Sequence, residues 1–421
     1  MSKLLDVVVI GAGHAGLAVS QRLAGRGLEH IVLERREIGE TWREQRWDSF
    51  QVNSPNWMNG LPGTPYAGDA PDAFPSPREW VDHLERHVLM HSLPVRTHTE
   101  VTAVEAGDDR TFVVTTATGD SLRTRTIVVA SGGQSVPKVP ASAREIDPQI
   151  QVLTTATYKR PTQLAPGAVL VVGGAQSGCQ IAEDLLDAGR QVYLAVGKAP
   201  RVPRRLRGRD VMFWFKELGI ARQRPEDLPD PAMLRWPPPQ VSGVGPLGHT
   251  VSYQWLAARG ATLLGHFEGA SGGRLRFATD LATHIAFADE RSAFTRRRVD
   301  EHLEKAGIAA PSSEPDPADE PVTDPARYAG PTELDLRDHR ISSVIFATGF
   351  GGDFSWLRVP ALDPQGSPVQ VEGRSPVHGL WFIGLPWMRI RASAMIDGAE
   401  HDSAFIVDGL ARQLSGRPAA I

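Results

Sequence analysis

Two glycine-rich hexads carry the chemistry that this sequence can perform. Residues 11–16 read Gly-Ala-Gly-His-Ala-Gly, and residues 173–178 read Gly-Gly-Ala-Gln-Ser-Gly. In a GxGxxG turn the first glycine, Gly11, permits the tight bend. The second, Gly13, lets the backbone approach a pyrophosphate, and the third, Gly16, lets a helix pack closely on a strand. The helix that follows offers free N–H groups and a partial positive charge to phosphates. His14 and Ala15 therefore join the glycines as candidate contacts. Glu34, about 20 residues on, is placed to accept hydrogen bonds from a ribose 2′-OH, with Arg35 beside it. The second hexad fits GxAxxG, where the Ala175 methyl crowds the pyrophosphate approach. Gly173, Gly174, Gln176, Ser177 and Gly178 are its candidate contacts. No acid ends the strand expected at 191–196. Lys198 stands there instead, followed by Arg201, Arg204, Arg205, Arg207 and Arg209. A cation at that point suits a 2′-phosphate, so Lys198 and Arg201 favour NADPH over NADH. A solvated basic loop is the plainer alternative. Two nucleotide pockets in one chain imply two dinucleotides, with FAD resident and NADPH as hydride donor.

The elements that must position these residues are also legible. Residues 4–10, apolar except for Asp6, and 169–172 are runs of strand length, as expected for strands buried on both faces of a parallel sheet. Each hexad is followed by helix-compatible sequence and then by another short apolar run, 28–33 or 191–196. Strand, glycine turn, helix, strand and acid in that order make the first motif strong evidence, where a lone GxGxxG would be weak. The apolar start after Lys3 leads into a glycine turn rather than a cleavage site, so it reads as a strand and not as a signal peptide.

Composition narrows the partners. The formal net charge of -4 leaves no global basic field for nucleic acid. The single cysteine, Cys179, excludes an internal disulfide, a CxxC pair and a multi-cysteine metal site. No stretch approaches a membrane span, and the expected location is cytoplasmic. Oligomeric state is open. His83, His87 and His91 recur at helical spacing, but without a second ligand cluster they read as the wet flank of a docking helix, and no metal is expected. Cys179 reads as a packed small side chain. No Ser-His-Asp order or carboxylate pair stands out.

With these motifs in view, the sequence resembles the class B flavoprotein monooxygenases. That family of two-dinucleotide flavoproteins includes flavin-containing monooxygenases, microbial N-hydroxylases and Baeyer–Villiger enzymes. The resemblance spans nearly the whole chain. Beyond the two hexads it rests on Ile38-Gly39-Glu40-Thr41-Trp42-Arg43, which in the family borders FAD, and on Val52-Asn53-Ser54-Pro55. It continues through IVVASG at 127–132, which contains Ala130, the proline-spaced 137–140, Phe346-Ala347-Thr348-Gly349-Phe350, and LWFIG ending at Gly384. The resemblance implies FAD contacts at Thr41, Trp42, Val101 (near the adenine), Ala130 and Gly384. It implies NADPH-side contacts at Ala347, Thr348 and Gly349. Asn53 resembles the asparagine beside the reactive flavin carbon and is the catalytic candidate. Arg389 and Arg391 precede the last helix, which in the family points its positive end at the flavin pyrimidine; a C-terminal helix that simply docks is the alternative. Pro148, Ile150 and Thr154 replace the fingerprint Phe, Gly and His, and only Tyr158 matches.

The implied architecture is α/β, with two Rossmann-like domains. An NADPH domain at 166–339 is inserted into an FAD domain split between 1–165 and 340–421. Residues 203–307 exceed a minimal Rossmann unit. Within them 210–219 (DVMFWFKELG) reads either as a helix buried between domains or as a substrate-channel wall. Residues 311–331, rich in Pro, Asp, Glu and Ser, read as a mobile surface loop without chemistry. The implied function is NADPH-dependent insertion of one oxygen atom from O2 into a small organic substrate, at nitrogen, sulfur or carbonyl carbon, through a flavin C4a-(hydro)peroxide. The alternatives are a reductase passing electrons to a quinone or redox protein, and a flavin-binding sensor or pseudoenzyme.

Overall fold

A computed structural model of the chain describes residues 3–416 except 244, 246, 310, 313 and 314. The first sheet grows from β1 (Leu4–Ile10), whose last four residues are buried, as its apolar run requires. β1 pairs in parallel with β2 (His30–Leu33) on one side and with β6 (Ser121–Val129) on the other. β2 continues in parallel to β3 (Val95–Arg96). Beyond β6 the pairing turns antiparallel through β5 (Phe112–Thr116) to β4 (Val101–Ala106). Leu380–Phe382 returns from the far end of the chain to lie parallel to β6.

The second sheet repeats the plan. β9 (Ala168–Val172) is buried at every residue and sits between β10 (Val192–Ala195) and Ile341–Phe346, both parallel to it. Thr262–Leu264 extends one edge and β8 (Gln151–Thr154) the other. The two sheets are bridged by a short antiparallel pair, β7 (Val136–Pro137) with Phe350–Gly351. One Rossmann-like unit is therefore inserted in the other. Strand pairing moves its edges. Gln151–Thr154 and Ile341–Phe346 fall in segments that the sequence reading gave to the first unit, yet they hydrogen-bond into the second sheet. Thr262–Leu264, expected in the extra insertion, is also a strand of the second sheet.

α1 (His14–Ala24) follows β1, and α4 (Gln176–Asp187) follows β9. Between them lie α2 (Glu40–Glu44) and α3 (Pro77–Met90). Then come α5 (Val211–Glu217), α6 (Tyr253–Ala258), α7 (Leu281–Ala306) and α8 (Ile396–Leu414). One continuous apolar core runs through both units, from Val7 and Ile127 to Val169 and Ile181. α8 lies on α1, where Arg22 donates to Ser403 Oγ at 2.9 Å. Among the described residues no helix is long and apolar enough to cross a membrane.

One surface expectation is overturned. The flank of α3 is not wet: His87 is fully buried and His83 nearly so. Burial holds the His87 imidazole down at about 4. His87 Nδ1 and His91 Nε2 lie 2.8 and 3.0 Å from Thr64 Oγ1, so this row fastens the loop at 56–66. Among the described residues no His, Cys, Asp or Glu group can hold a metal. The segment 311–331, of which 313 and 314 lie outside the described residues, is largely exposed but anchored around Asp319. Its Asp319 is buried and pairs with Arg201 and Arg296, while Val322 N donates to Asp289 at 2.8 Å. A carboxylate enters a core only with such partners.

Candidate functional site

The two glycine hexads are built alike, atom for atom. Gly11 N donates to Leu33 O and Gly173 N to Ala195 O, both at 2.8 Å. Ala130 N donates to Ile10 O at 2.8 Å, and Ala347 N to Val172 O at 2.7 Å. Each turn therefore hangs between the central strand and its two parallel neighbours. Positive φ at Gly11 (110°) and Gly173 (115°) makes the bend, a conformation that side chains resist. A Cβ on Gly16 would sit 2.0 Å from Gly11 O, and one on Gly178 would sit 1.7 Å from Gly173 O. Both third glycines are demanded by backbone contact. A Cβ on Gly13, by contrast, meets nothing within 4 Å. That space is what a pyrophosphate cradle requires.

The helices opening behind the turns carry no side-chain cap: α1 starts after Gly13 and α4 after Ala175. α3, by comparison, has the full Ser76–Glu79 capping box. The first N–H groups of α1 and α4 are thus left for a ligand. At the first turn His14 Nε2 is sealed from solvent without a partner, and burial lowers that imidazole to about 4. Ser131 Oγ, just past Ala130, is likewise buried and unpartnered. These groups suit a bound dinucleotide.

The remaining first-site candidates converge on this turn. Glu34 Oε2 accepts from Ala12 N at 2.8 Å, so its carboxylate sits against the glycine bend. Arg35 is exposed beside it. Thr99 N donates to Glu34 O at 2.8 Å, which brings the strand start at Val101 to the same end of the sheet. Gly39 N donates to Ala12 O at 3.2 Å and draws in α2 with Thr41 and Trp42. A Cβ on Gly384 would lie 3.2 Å from Ala15 Cβ, which places the returning strand on the helix start. α8 begins at Ile396, following the Arg389–Arg391 stretch; Arg389 pairs there with buried Asp402 at 3.1 Å. Sequence reading missed Arg46. Its guanidinium stands 5.0 Å over the Trp42 ring, and burial lowers it to about 10. Buried, unpartnered Gln45 Oε1, Trp47 Nε1 and Ser49 Oγ continue the run. Only their adjacency to Trp42 could have flagged them.

The second site requires corrections. Arg201 is 1% exposed and pairs with Asp289 at 2.5 Å and with Asp319, so it cannot reach a phosphate. Arg204 is equally committed. It pairs with Asp210 at 2.7 Å, covers the Phe74 ring and donates to Asn53 O at 2.9 Å. Lys198 alone of the two chosen cations remains exposed, 4.7 Å over the Phe287 ring. The Gln176 amide binds the chain at 241–242, accepting from Val241 N at 2.6 Å and donating to Ser242 O at 2.6 Å. Gly174 faces inward, where a Cβ would meet Tyr253 Oη at 2.7 Å. Both support the turn from behind. Thr348 donates its hydroxyl to Lys138 O, Ala347 backs Gly173, and Gly349 turns at φ 88°. Ser177 stays half-exposed on the first turn of α4. Cys179 is buried against Gly174 O at 3.4 Å, and burial pushes its thiol up.

Asn53 stands at the seam. Its Oδ1 accepts from Gln180 Nε2 of α4 at 3.3 Å while its carbonyl takes Arg204. Tyr158, the surviving fingerprint residue, is buried and donates to Asp184 Oδ2 at 2.5 Å, holding α4 from the other side.

A family model described as pyridine nucleotide-disulphide oxidoreductase matches residues 8–212. An uncharacterized oxidoreductase, CzcO-like, of Geobacillus kaustophilus (strain HTA426) is 31% identical over 97% of this chain and 99% of its own length. The indole-3-pyruvate monooxygenase YUCCA1 of Oryza sativa subsp. japonica is 31% identical over 56% of this chain and 54% of its own. Among solved structures, a flavin-containing monooxygenase from Stenotrophomonas maltophilia aligns with a TM-score of 0.68 at 20% identity. That alignment covers 98% of this chain and 99% of the other.

Proposed function

We propose that this chain, which belongs with the CzcO-like oxidoreductases, works as a class B flavoprotein monooxygenase: it holds FAD at the first glycine turn, takes NADPH at the second, and inserts one oxygen atom from O2 into a small organic molecule at nitrogen, sulfur or carbonyl carbon. The observation that carries the reading is the pair of matched turns, each ending in an uncapped helix, with open space at Gly13. We assign the first sheet to FAD and the second, including Gln151–Thr154 and Ile341–Phe346, to the nicotinamide nucleotide.

When bound, flavin accepts hydride from the nicotinamide and supplies the oxygen-activating chemistry. The chain's own work is to bind, orient and exclude water. The N–H groups opening α1 take the first pyrophosphate, and Glu34 takes a ribose hydroxyl. Gly11 and Gly16 let the turn close. Thr41, Trp42 and Arg46 wall the site on one side, Ala130 and Gly384 on the other, with Val101 at the adenine end. The N–H groups opening α4, with Ser177, take the second pyrophosphate, and Lys198 faces the 2′-phosphate. Asn53, fixed at the seam by Gln180 and Arg204, orients the reacting group.

The rival reading passes electrons to a quinone or redox protein through the same turns. Its dithiol form is removed, because the one cysteine is buried in α4. The test follows NADPH oxidation by flavin-loaded protein with oxygen-18-labelled O2 and a panel of amines, sulfides and ketones. Label should enter one product class in proportion to the NADPH used. NADPH oxidation that yields only hydrogen peroxide or reduced quinone, with no labelled product, overturns the reading. In Asn53→Ala, label per NADPH should fall severalfold while reduction of the flavin by NADPH continues.

A further inference from the structure

The stretch 210–219 has no part in the chemistry above, yet it delivers a cation to a built cleft. Lys216, on the exposed side of α5, projects over a hollow of about 330 Å³. That is the low end of the range for small-molecule sites. Trp57, Met58, Leu61 and Tyr66 form the apolar wall, and Lys216 Nζ stands 5.3 Å over the Trp57 ring. Asp397 and Glu400, from the first turns of α8, close the opposite side. The cleft thus joins the first unit to the inserted one, and its wall follows closely on Asn53 in the chain.

The wall is held rigidly. A 3-10 turn at Asn56–Met58 leads into a tight reversal in which Leu61 and Thr64 exchange backbone hydrogen bonds at 3.0 and 2.8 Å. Asn56 Nδ2 donates to Ala70 O and Asn59 Nδ2 to Ser54 O, both at 2.9 Å. Thr64 is fastened from beneath by His87 and His91. Such anchoring keeps the ordering cost of binding low.

The charge balance then decides what fits. Asp397 is paired with Arg222 at 3.2 Å and Glu400 with Arg22 at 3.7 Å. Lys216 has no carboxylate within ion-pair distance among the described residues; it stands over the Trp57 ring. The two acids are compensated and the lysine is not, so the cleft offers one free cation above an aromatic and thioether surface.

We propose that this cleft binds a small organic acid, with its carboxylate on Lys216 and its aromatic or branched apolar body on Trp57 and Met58, and that such acids are the substrate class of the enzyme. The substrate half rests on the function proposed above; the binding half does not.

The test is calorimetric binding of phenylacetate, phenylacetamide and phenethylamine to oxidised, flavin-loaded protein. Wild type, Lys216→Met and Lys216→Arg are compared. Phenylacetate should bind at least about tenfold more tightly than the amide or the amine. Lys216→Met should weaken phenylacetate roughly 10- to 100-fold, the worth of a charged hydrogen bond, and erase its advantage over the amide. Lys216→Arg should keep most of it. Lys216 is exposed, so these variants fold. Equal binding of acid and amide, preference for the amine, or unchanged affinity in Lys216→Met each overturns the proposal. Reduction of the flavin by NADPH is followed in the same wild-type preparation. If it proceeds while the acid rule fails, only the cleft assignment falls. If it fails while the acid rule holds, the binding site stands and the monooxygenase reading falls.

Discussion

Exchanging Gly13 and Gly16 for alanine, one at a time, separates ligand space from folding space. A Cβ on Gly16 would lie 2.0 Å from Gly11 O and 3.2 Å from Ala130 Cβ. Ordinary contact begins near 3.4 Å, so the turn must shift by more than an ångström against a strand that cannot move. Overpacking of that kind costs about 1–3 kcal/mol. In a domain of about 150–250 residues each kcal/mol lowers the midpoint by roughly 2–4 °C. Gly16→Ala should therefore melt on the order of 5–10 °C lower, even when stripped of flavin. Gly13 has φ -81° and ψ 178°, a conformation open to any residue, and Ala175 occupies the equivalent point at φ -81° and ψ -170°. Gly13→Ala should leave the flavin-free midpoint unchanged or raise it slightly, because it restricts the unfolded chain. Its methyl would instead stand between the α1 N–H groups and the pyrophosphate. Loss of about 1.5–3 kcal/mol of charged hydrogen bonding means flavin binding roughly 10- to 100-fold weaker. Visible flavin absorbance per chain and calorimetric melting of stripped protein measure both quantities. If Gly13→Ala melts as low as Gly16→Ala, or loads flavin like the wild type, the cradle is wrongly placed.

The second turn predicts the converse. Ala175→Gly removes the methyl that Gly13 lacks and should lower KM for NADPH severalfold at unchanged melting temperature. Lys198→Ala should raise KM for NADPH by about tenfold and leave KM for NADH unaffected, since only one carries the 2′-phosphate. Arg201→Ala should leave that ratio alone and destabilise the fold by about 3 kcal/mol, because it takes the cation from Asp289 and leaves Asp319 with Arg296 alone; chemical denaturation reads this directly. Burial depresses the His87 imidazole to about 4 in the folded chain. The unfolded chain takes up that proton first, near its ordinary value of about 6.5. Stability from neutral His87 is complete above about pH 6.5 and drains away as pH falls toward 4, by up to about 3 kcal/mol. His87→Gln should flatten the melting profile across that window; an equally steep loss in the variant would show that other groups carry it.

Local order made the two glycine turns readable in advance. A buried strand, a glycine bend and a helix start are successive in the chain, and their spacing is set by backbone geometry that no distant contact can rescue. Gly11, Gly16 and Glu34 therefore stand where their spacing puts them. Within the basic run after β10, Arg201 departs from its expected role for the opposite reason. Charge is visible in a sequence, but its partner is not. Arg201 finds Asp319, and Arg204 finds Asn53, only once the chain has folded back on itself. The histidine row at 83–91 likewise has helical spacing in any context, and tertiary contacts with α1 and the loop at Thr64 bury His87.

Primary structure alone thus committed the chain to a pair of glycine turns that open uncapped helices, because short-range sterics and helix-end geometry are written in consecutive residues. Tertiary packing decided which cations stayed free, which strands joined which sheet, and where Lys216 met Trp57. Those outcomes depend on burial and on charge partners more than a hundred residues apart, as with Arg201 and Asp319, and desolvation makes such pairing obligatory without announcing it in the local sequence.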